Sequence, residues 1–551
     1  MQNIKDLKGK VPKEVSHVTE TLERAGFEAY LVGGCVRDLL IGRNPKDWDV
    51  TTNAKPDEII GLFEKTVYEN TFGTVGVVVA RETSRNDVSY VTVEVTPYRL
   101  EAKYSDSRHP DEVKFSNKLE DDLKRRDFTV NALAMDSFGH VVDLFEGIKD
   151  IESKVLRTVG EGDERFGEDA LRMLRAMRFS CELNFSVAHE TTESIIKNSD
   201  LIKKISAERI RDEFEKIIMS KNPSAGVLLL QKFGLLKNII PEFEEGIDCE
   251  QGGEHIYDVW NHLLHALQHA ADKNWPLEVR LAALFHDIGK PRTRRDSSQL
   301  KKNSPAFLHP AGGTFRKENS SLTAGASEKN YADGRVQSKT GGMSNNLFPT
   351  NTKKKYTFYG HEVVGARMTK KIMERLKFPN KEIELVEKLV RNHMFFSDTE
   401  QITLSAVRRI ITKVGVENIW TLMNVRECDR VGMKKKEAPY RLRKYFAMIE
   451  EALRDPISVS QLKVDGNYLI KKLGIKPGPR MGWILHALLE EVLEDPKKNT
   501  EEYLEKQVLG LDKLSDAELK KLGEQAKETK EELEEEELEK LHQKHGVRKN
   551  N

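Results

Sequence analysis

The sequence predicts an α+β fold, with a mixed sheet in an N-terminal domain and mostly helical domains after it. Two β-branched runs, Val75–Ala80 and Val88–Thr96, predict strands within the first 150 residues. From residue 164 onward, apolar residues recur at helical spacing. A polar segment, residues 291–357, interrupts this helical pattern.

The composition is that of a large folded chain without a disulfide framework. Its 551 residues suggest roughly three or four domains at about 150 residues each. The four cysteines are far apart in sequence, so we expect them to be reduced, as in a cytoplasmic protein. The chain begins without an apolar signal segment, and no apolar run reaches the roughly 18 residues of a membrane helix.

Charge is unevenly distributed along a chain whose total is neutral. The 89 basic side chains balance 89 acidic ones. Residues 291–357 nevertheless carry 13 basic and 4 acidic side chains, whereas residues 501–551 carry 10 basic and 15 acidic ones. Overall neutrality therefore does not exclude a polyanionic partner such as a nucleic acid.

Changes of pattern along the chain predict four parts. Residues 1–150 alternate between strand and helix signals, and residues 151–250 have the pattern of successive amphipathic helices. We expect a further helical domain over residues 251–435, in which residues 291–357 form a disordered insertion. Residues 436–551 are expected to form a helical C-terminal region with a charged tail.

A glycine pair and two carboxylates form the most informative pattern of the N-terminal part. Gly33 and Gly34 follow a short apolar run, and glycines let the backbone approach a triphosphate closely. Arg37 can add positive charge to that phosphate group. Asp47 and Asp49 alternate on an extended segment, so both carboxylates face the same side. Two such carboxylates predict a Mg²⁺ site that supports attack by a hydroxyl group and departure of pyrophosphate.

Two further charged motifs follow. One is Asp-Leu-Lys-Arg-Arg-Asp-Phe-Thr-Val-Asn over residues 122–131, and the other is Glu-Asp-Ala-Leu-Arg over residues 168–172, followed by Arg175 and Arg178. On a helix, Glu168 and Arg172 would be neighbours one turn apart. Taken alone, the first motif is compatible with a charged helix start, and the second favours ordinary salt bridges along a helix.

The order GGxVRD, DxD, RRDFTVNA and EDALR resembles the superfamily of class II tRNA nucleotidyltransferases and bacterial poly(A) polymerases. The resemblance implies a nucleotidyltransferase head in which Asp47 and Asp49 are catalytic and bind Mg²⁺, followed by a helical neck. The nucleotide-binding residues that it implies are Gly33, Gly34, Arg37, Asp122, Arg125, Arg126, Asp127, Asn131, Glu168, Asp169, Arg172, Arg175 and Arg178.

In this resemblance, Glu168, Asp169 and Arg172 match the residues that select the base of the incoming nucleotide. An aspartate can accept a proton from a base amino group, and an arginine can donate to a ring acceptor. CTP and ATP share an amino donor beside a ring nitrogen. One protein pocket could therefore accept both nucleotides and reject UTP and GTP.

Histidines and aspartates in the second half of the chain form another pattern. An apolar stretch, Leu281–Phe285, is followed by a His-Asp pair, and separate helices contribute further candidate ligands of a metal ion. The candidate ligands are His262, His286, Asp287, His361, His393 and Asp429. Their order resembles the HD phosphohydrolase domain, which implies divalent transition metal ions and hydrolysis of a phosphate compound. Residues 292–358 replace the short hairpin that normally follows the His-Asp motif in that family.

The motifs together predict template-independent addition of CCA to the 3′ end of tRNA, with an accessory HD phosphohydrolase activity. The predicted partners are the tRNA 3′ end, CTP and ATP, without a membrane. Residues 97–115 match the family's flexible loop, and Arg99, Asp106 and Arg108 within it favour addition of the complete CCA. The nearer alternative is a poly(A) polymerase or an enzyme that adds only CC or only A. A more distant alternative is an HD-type nucleotide phosphohydrolase whose head only binds nucleotide.

Overall fold

The computed structural model describes residues 7–69, 73–82, 88–100, 114–252, 255–296, 356–394, 402–433 and 439–522. Asp106 and Arg108 of the predicted flexible loop lie outside these ranges, as do residues 297–355 of the predicted insertion and the tail from residue 523. Within the described ranges, no helix combines the length and the apolar character that a membrane crossing needs.

A seven-stranded mixed sheet forms the N-terminal head, which confirms the predicted fold class. The strands of the head are β1 (Ala29–Val32), β2 (Asp49–Thr52), β3 (Thr66–Glu69), β4 (Thr74–Glu82), β5 (Val88–Pro97), β6 (Arg99–Leu100), β7 (Lys114–Phe115), β8 (Leu133–Met135) and β9 (Val141–Asp143). The order across the large sheet is β3-β4-β5-β2-β1-β8-β9, while β6 pairs with β7 separately. Within the large sheet β2 and β5 run parallel, and the other neighbouring strands are antiparallel.

One face of the head sheet is apolar and packs against helices of the head. Alternate residues on neighbouring strands, such as Val75 and Val77 on β4 and Val93 and Val95 on β5, are buried in one hydrophobic cluster. Helices of the head supply the other side of this cluster. These helices are Lys13–Arg24, Gly34–Leu40, Pro56–Leu62 and Gly147–Ser153, whereas the helix Leu119–Lys124 packs through Leu123 into a separate small cluster with Val32 and Ala134.

Helices dominate the described chain after the head. In chain order they are Gly162–Glu168, Leu171–Leu183, His189–Asn198, Ala207–Met219, Pro223–Lys232, Leu236–Ile239, Pro241–Glu244, Val259–Asp272, Leu277–Phe285, Lys290–Thr293, His361–Arg375, Asn380–Asn392, Leu404–Val414, Ile419–Asp429, Pro439–Ala452, Gly466–Lys471, Pro479–Glu494 and Glu501–Leu511. One hydrophobic core extends through them, from Phe128 at the edge of the head to Leu519. The neck and the histidine-bearing helices therefore pack as one body.

The two ends of the predicted insertion are ordered. Arg295–Asp296 and Tyr356–Thr357 pair as antiparallel strands, and the Arg294 guanidinium lies 3.9 Å from the centre of the Tyr356 ring. These two strands lie within the range, residues 291–357, for which the sequence predicted disorder. Backbone pairing and a cation–π contact bring the two ends together.

A buried arginine joins the neck to the histidine-bearing region. Arg280 lies on the helix Leu277–Phe285 and is 4% exposed. Its Nη1 donates to the carbonyl oxygens of Ile218 and Ser220 at 3.0 and 2.9 Å. These carbonyls lie at the C-terminus of the neck helix Ala207–Met219, where carbonyl groups lack partners within the helix.

We expect Arg280→Met to lower the free energy of unfolding by about 2 to 4 kcal/mol, because two buried carbonyl groups lose a charged donor. Urea denaturation measures the change. The control is Arg24→Met, because the Arg24 side chain is 73% exposed in a surface pair with Glu20. For that control we expect less than about 1 kcal/mol. Equal losses in the two variants would contradict the role assigned to Arg280.

Candidate functional site

The glycine pair turns the chain from β1 into the helix Gly34–Leu40. Gly33 has a φ of 79°, which favours glycine. A Cβ atom at Gly33 would lie only 2.8 Å from Nη1 of Arg126. Glycine is therefore needed for the Arg126 guanidinium to lie directly against this turn.

The two predicted catalytic carboxylates lie beside this turn. Asp47 precedes β2 and is exposed, whereas Asp49 begins β2 and is partly buried. Glu94 on β5 is the direct partner of Asp49 in the parallel pairing. The pKa of Asp49 lies above its ordinary value. Burial is the largest cause and raises the pKa, the Arg126 guanidinium lowers it, and the Asp47 carboxylate also raises it. A carboxylate pair that is partly desolvated and mutually repelling fits a hard divalent cation.

Asp122 orients the two predicted arginines of the second motif. Its side chain is fully buried and accepts hydrogen bonds from Nε of Arg125 at 2.9 Å and Nη2 of Arg126 at 3.1 Å. Burial alone would raise the pKa of Asp122, but the two guanidinium groups hold it below its ordinary value. Asp122 thus fixes Arg126 beside the Gly33 turn.

A second carboxylate connects the head to the neck. Asp127 accepts hydrogen bonds from Nδ2 of Asn131 at 3.0 Å and from Nε of Arg175 at 2.7 Å. The side-chain oxygen of Asn131 in turn accepts from Nη1 of Arg37 at 2.6 Å, and Nε of Arg37 donates to Asp38 at 2.9 Å. Arg37, expected from the sequence to meet a phosphate, is thus a buried member of this network.

The motif over residues 168–172 spans a break between two helices. The helix Gly162–Glu168 ends before Asp169, whose backbone is extended, and the next helix is Leu171–Leu183. Glu168 and Arg172 do form an ion pair of 2.5 Å. They do so from separate helices, which corrects the expectation of one turn along a single helix. The break arises because Asp169 leaves the helical conformation.

The neck helix Ala207–Met219 anchors this motif from the other side. Nη2 of Arg209 donates to Oδ2 of Asp169 at 2.7 Å. Nε of Arg178 and Oε2 of Glu213 form an ion pair of 2.7 Å. The predicted selecting residues therefore have ionic partners that fix their side chains.

The ion pair of Asp127 should make the free energy of unfolding depend on pH. Burial alone would raise its pKa, but the Arg175 guanidinium and the Asn131 hydrogen bond lower the pKa of Asp127 to about 2, from an ordinary value of 3.8. Because the folded-state pKa is depressed, the stabilisation is complete above about pH 4 and is lost as the pH falls towards 2. We expect the stability difference between wild type and Asp127→Asn to shrink by about 2 kcal/mol between roughly pH 5 and pH 2. Acid-dependent urea denaturation measures it, and a difference that stays constant would contradict the pairing.

The structure brings the six predicted HD residues together in one buried cluster. Their ligand atoms form two groups, and within each group the atoms lie within 4.8 Å of one another. The first group is His262, His286, Asp287 and Asp429. The second group is Asp287, His361 and His393. Five separate helices or helix ends supply these residues. The convergence of distant sequence positions favours a metal centre over unrelated core histidines.

Asp287 belongs to both groups. Its Oδ2 lies 3.4 Å from Nε2 of His262 and 3.3 Å from Nε2 of His286. Its Oδ1 lies 3.2 Å from Nε2 of His361 and 3.6 Å from Nε2 of His393. Each carboxylate oxygen of Asp287 thus faces the Nε2 atoms of two histidines. Buried acceptors that face one another in this way fit bound cations.

Backbone carbonyl groups orient three of these histidines. The Nδ1 atoms of His286, His361 and His393 lie 2.9, 2.8 and 2.6 Å from carbonyl oxygens three residues earlier in the chain. An Nδ1–H that donates to a carbonyl leaves Nε2 as the lone-pair ligand. All three Nε2 atoms face the cluster.

Gly289 permits the closest helix contact of the cluster. A Cβ atom at Gly289 would lie 2.3 Å from the carbonyl oxygen of His361 and 2.6 Å from the backbone nitrogen of Gly365. Only glycine lets the helix His361–Arg375 approach the His-Asp turn so closely. His361 thereby reaches Asp287.

Sequence reasoning assigned no role to Lys290. Its buried Nζ lies 2.5 Å from Oδ2 of Asp287 and donates to Oε1 of Gln251 at 2.6 Å. Burial alone would raise the pKa of Asp287, but Lys290 and His286 hold it well below its ordinary range. The available signal was the position of Lys290 one turn after Asp287.

Family models match three separate parts of the chain. The model described as "Poly A polymerase head domain" matches residues 29–157. "Probable RNA and SrmB- binding site of polymerase A" matches residues 184–247, and "tRNA nucleotidyltransferase domain 2 putative" matches residues 361–508. The third match runs across the domain boundary expected at residue 435.

Curated relatives of this chain include CCA-adding enzymes. The enzyme of Lactobacillus helveticus is 50% identical over 201 residues, which are 36% of this chain and 48% of the relative. The enzyme of Geobacillus thermodenitrificans is 42% identical over 282 residues, which are 50% of this chain and 63% of the relative. The chain thus spans about half the length of the Lactobacillus relative.

Solved structures share the fold over most of the chain. The Bacillus stearothermophilus CCA-adding enzyme in complex with CTP has a TM-score of 0.60 at 25% identity and covers 91% of this chain and 98% of its own. The Thermotoga maritima CCA-adding enzyme complexed with tRNA has a TM-score of 0.52 at 17% identity, covering 93% of this chain and 99% of its own, a likeness of fold alone.

The head sheet and the helical neck have the fold of the poly(A) polymerase and tRNA nucleotidyltransferase class. The matches to family models of poly(A) polymerases and tRNA nucleotidyltransferases confirm the resemblance carried by the chain's motifs. The chain is similar to the CCA-adding enzymes. The HD resemblance stays a prediction.

Proposed function

We propose that this chain adds CCA to the 3′ end of tRNA from CTP and ATP and releases pyrophosphate. The observation that carries the proposal is the pairing of two features: Arg126 lies beside Asp49 and the Gly33 turn of the head, and the Asp127–Arg175 ion pair joins the head to the neck helix that follows Asp169. The names of the similar proteins support the same activity. We assign residues 1–150 to the head, 151–250 to the neck, 251–435 to the histidine-bearing domain and 436–551 to the C-terminal region.

Asp47 and Asp49 would hold Mg²⁺ in this proposal. When bound, Mg²⁺ supplies charge stabilisation to the reacting triphosphate and to the departing pyrophosphate. Arg126 adds a fixed positive charge beside the Gly33 turn, because Asp122 holds its guanidinium there. The head thus presents both carboxylates and a cationic donor at one place.

Asp169 and Arg172 would read the edge of the base. The carboxylate accepts from the amino group of cytosine or adenine, and the guanidinium donates to a ring acceptor. UTP and GTP present a carbonyl oxygen in place of that amino group, so an acceptor would face an acceptor. Arg209 and Glu168 fix the two reading groups before a base arrives.

Stepwise incorporation tests the proposal. Transcripts of tRNA that end before CCA, after C and after CC are incubated with Mg²⁺ and labelled CTP or ATP, singly and together. We expect two C additions, then one A, then a stop. Long A tails would indicate a poly(A) polymerase, and addition of only C or only A would indicate a partial enzyme. No incorporation in any reaction would contradict the proposal.

We expect Asp47→Asn and Asp49→Asn each to lower the rate of CMP incorporation by about 10³-fold, because each variant removes a negative oxygen ligand from the Mg²⁺ site. Asp57→Asn is the control, since Asp57 is an exposed carboxylate of the same head. Its incorporation rate should match that of wild type. Full activity in Asp49→Asn would place the chemistry elsewhere.

A second activity, metal-dependent hydrolysis of a phosphate compound, is supported by the Asp287 carboxylate, which both groups of candidate metal ligands share. The histidine-rich ligand set favours divalent transition metals over Mg²⁺. When bound, such ions supply an activated water nucleophile and a positive site for phosphate. Lys290 and the three oriented histidines hold the carboxylate and the Nε2 atoms in place.

Metal content and hydrolysis test this second activity together. Wild type incubated with Mn²⁺, Co²⁺ or Ni²⁺ and then desalted should retain metal and hydrolyse bis(p-nitrophenyl) phosphate. His262→Ala should lose both properties and keep CCA addition. His265→Ala is the control on the same helix, because His265 is exposed and stacks on Tyr257. A wild type that retains no metal would contradict the assignment.

A further inference from the structure

One aromatic ring lies among three arginines of the candidate nucleotide site. Phe179 belongs to the helix Leu171–Leu183 and is 6% exposed. The guanidinium carbons of Arg37 and Arg175 each lie 5.3 Å from the centre of its ring, and that of Arg178 lies 4.2 Å away. The ring thus contacts three guanidinium groups of the site, whereas the Asp122 carboxylate pairs with two.

This ring is shared between the head and the neck. Arg37 comes from the head, whereas Arg175 and Arg178 lie on the same neck helix as Phe179. Arg175 precedes Phe179 by one turn, and Arg178 precedes it by one residue. The ring of Phe128, which follows Asp127 in the chain, packs against Phe179 edge-on, with 5.9 Å between centres and an angle of 85°. The Phe128–Phe179 pair therefore packs where the head and the neck meet.

Each of the three guanidinium groups also has an ionic partner. The pairs are Arg37 with Asp38, Arg175 with Asp127 and Arg178 with Glu213. Three like charges around one ring repel each other, and the electron-rich face of the ring offsets part of that repulsion. Ring and carboxylates together hold the guanidinium groups in a fixed arrangement.

We propose that Phe179 is a positioning residue for the incoming nucleoside triphosphate. It acts through Arg37, Arg175 and Arg178, keeping them arranged before the nucleotide binds, so that binding requires little reorganisation. Through Arg175 it also keeps Asp127 in place, and through Arg178 it keeps Glu213 in place on the helix that anchors Asp169. This inference rests on the proposed nucleotidyl transfer and names the residue on which its nucleotide affinity and base choice depend.

Phe179→Leu tests the inference, because leucine keeps an apolar core residue but removes the ring face. We expect KM for both CTP and ATP to rise about tenfold, with kcat changed less than about threefold, since the loss is in preorganised binding. We also expect the ratio of UMP to CMP incorporation to rise about tenfold. Phe179→Tyr retains the ring and should restore KM and base choice to within about threefold of wild type.

Phe185→Leu is the matched control. Phe185 has the same 6% exposure, lies in the same hydrophobic core and follows the end of the helix. It should lower the melting temperature as Phe179→Leu does but leave KM and base choice unchanged. If Phe179→Leu does not fold, Phe179→Met replaces it with a side chain of similar volume and the same expected result.

Two outcomes would overturn the inference alone. One is an active Phe179→Leu enzyme with wild-type KM and base choice, and the other is an equal change in Phe185→Leu. Calorimetric titration of wild type with CTP separates these outcomes from failure of the proposed function. A wild type that neither binds CTP nor incorporates CMP would overturn the proposed function and this inference together.

Discussion

The ion pair between the buried Asp127 of the head and the partly buried Arg175 of the neck is the contact on which the geometry of the candidate nucleotide site depends. The same carboxylate holds Asn131, and Asn131 holds Arg37. Removing one partner would leave a charge uncompensated in a buried place, which is far costlier than losing a surface pair. The head and the neck helix Leu171–Leu183 therefore keep a fixed relation without a ligand.

The neck helix Ala207–Met219 contacts both candidate sites. Arg209 and Glu213 on this helix anchor the selecting side of the nucleotide site, while the carbonyl groups at its end receive Arg280. Arg280 lies on the helix that leads directly into His286 and Asp287. The two candidate centres, one proposed for nucleotidyl transfer and one for phosphate hydrolysis, thus share one packed scaffold.

Much of the fold could be predicted because its signals are local. The β-branched runs correspond to β4 and β5, and the predicted Asp47–Asp49 alternation leads into β2. The break at Asp169 could not be predicted, since Glu168 and Arg172 can pair either along one helix or across two. The burial of Arg37 and the ring contacts of Phe179 depend on residues far away in sequence, so no periodicity expresses them. For Lys290, the spacing of one turn from Asp287 was a local signal, whereas its contact with the distant Gln251 was not.

A crystal structure of the protein with CTP and Mn²⁺ would test the assignment of both parts of the nucleotide site, because anomalous scattering locates the ion and difference density locates the base. We expect an anomalous peak between Asp47 and Asp49 that appears with CTP, and a cytosine edge that faces Asp169 and Arg172. A nucleotide bound at the histidine cluster, with no ion at Asp47 and Asp49, would contradict the assignment.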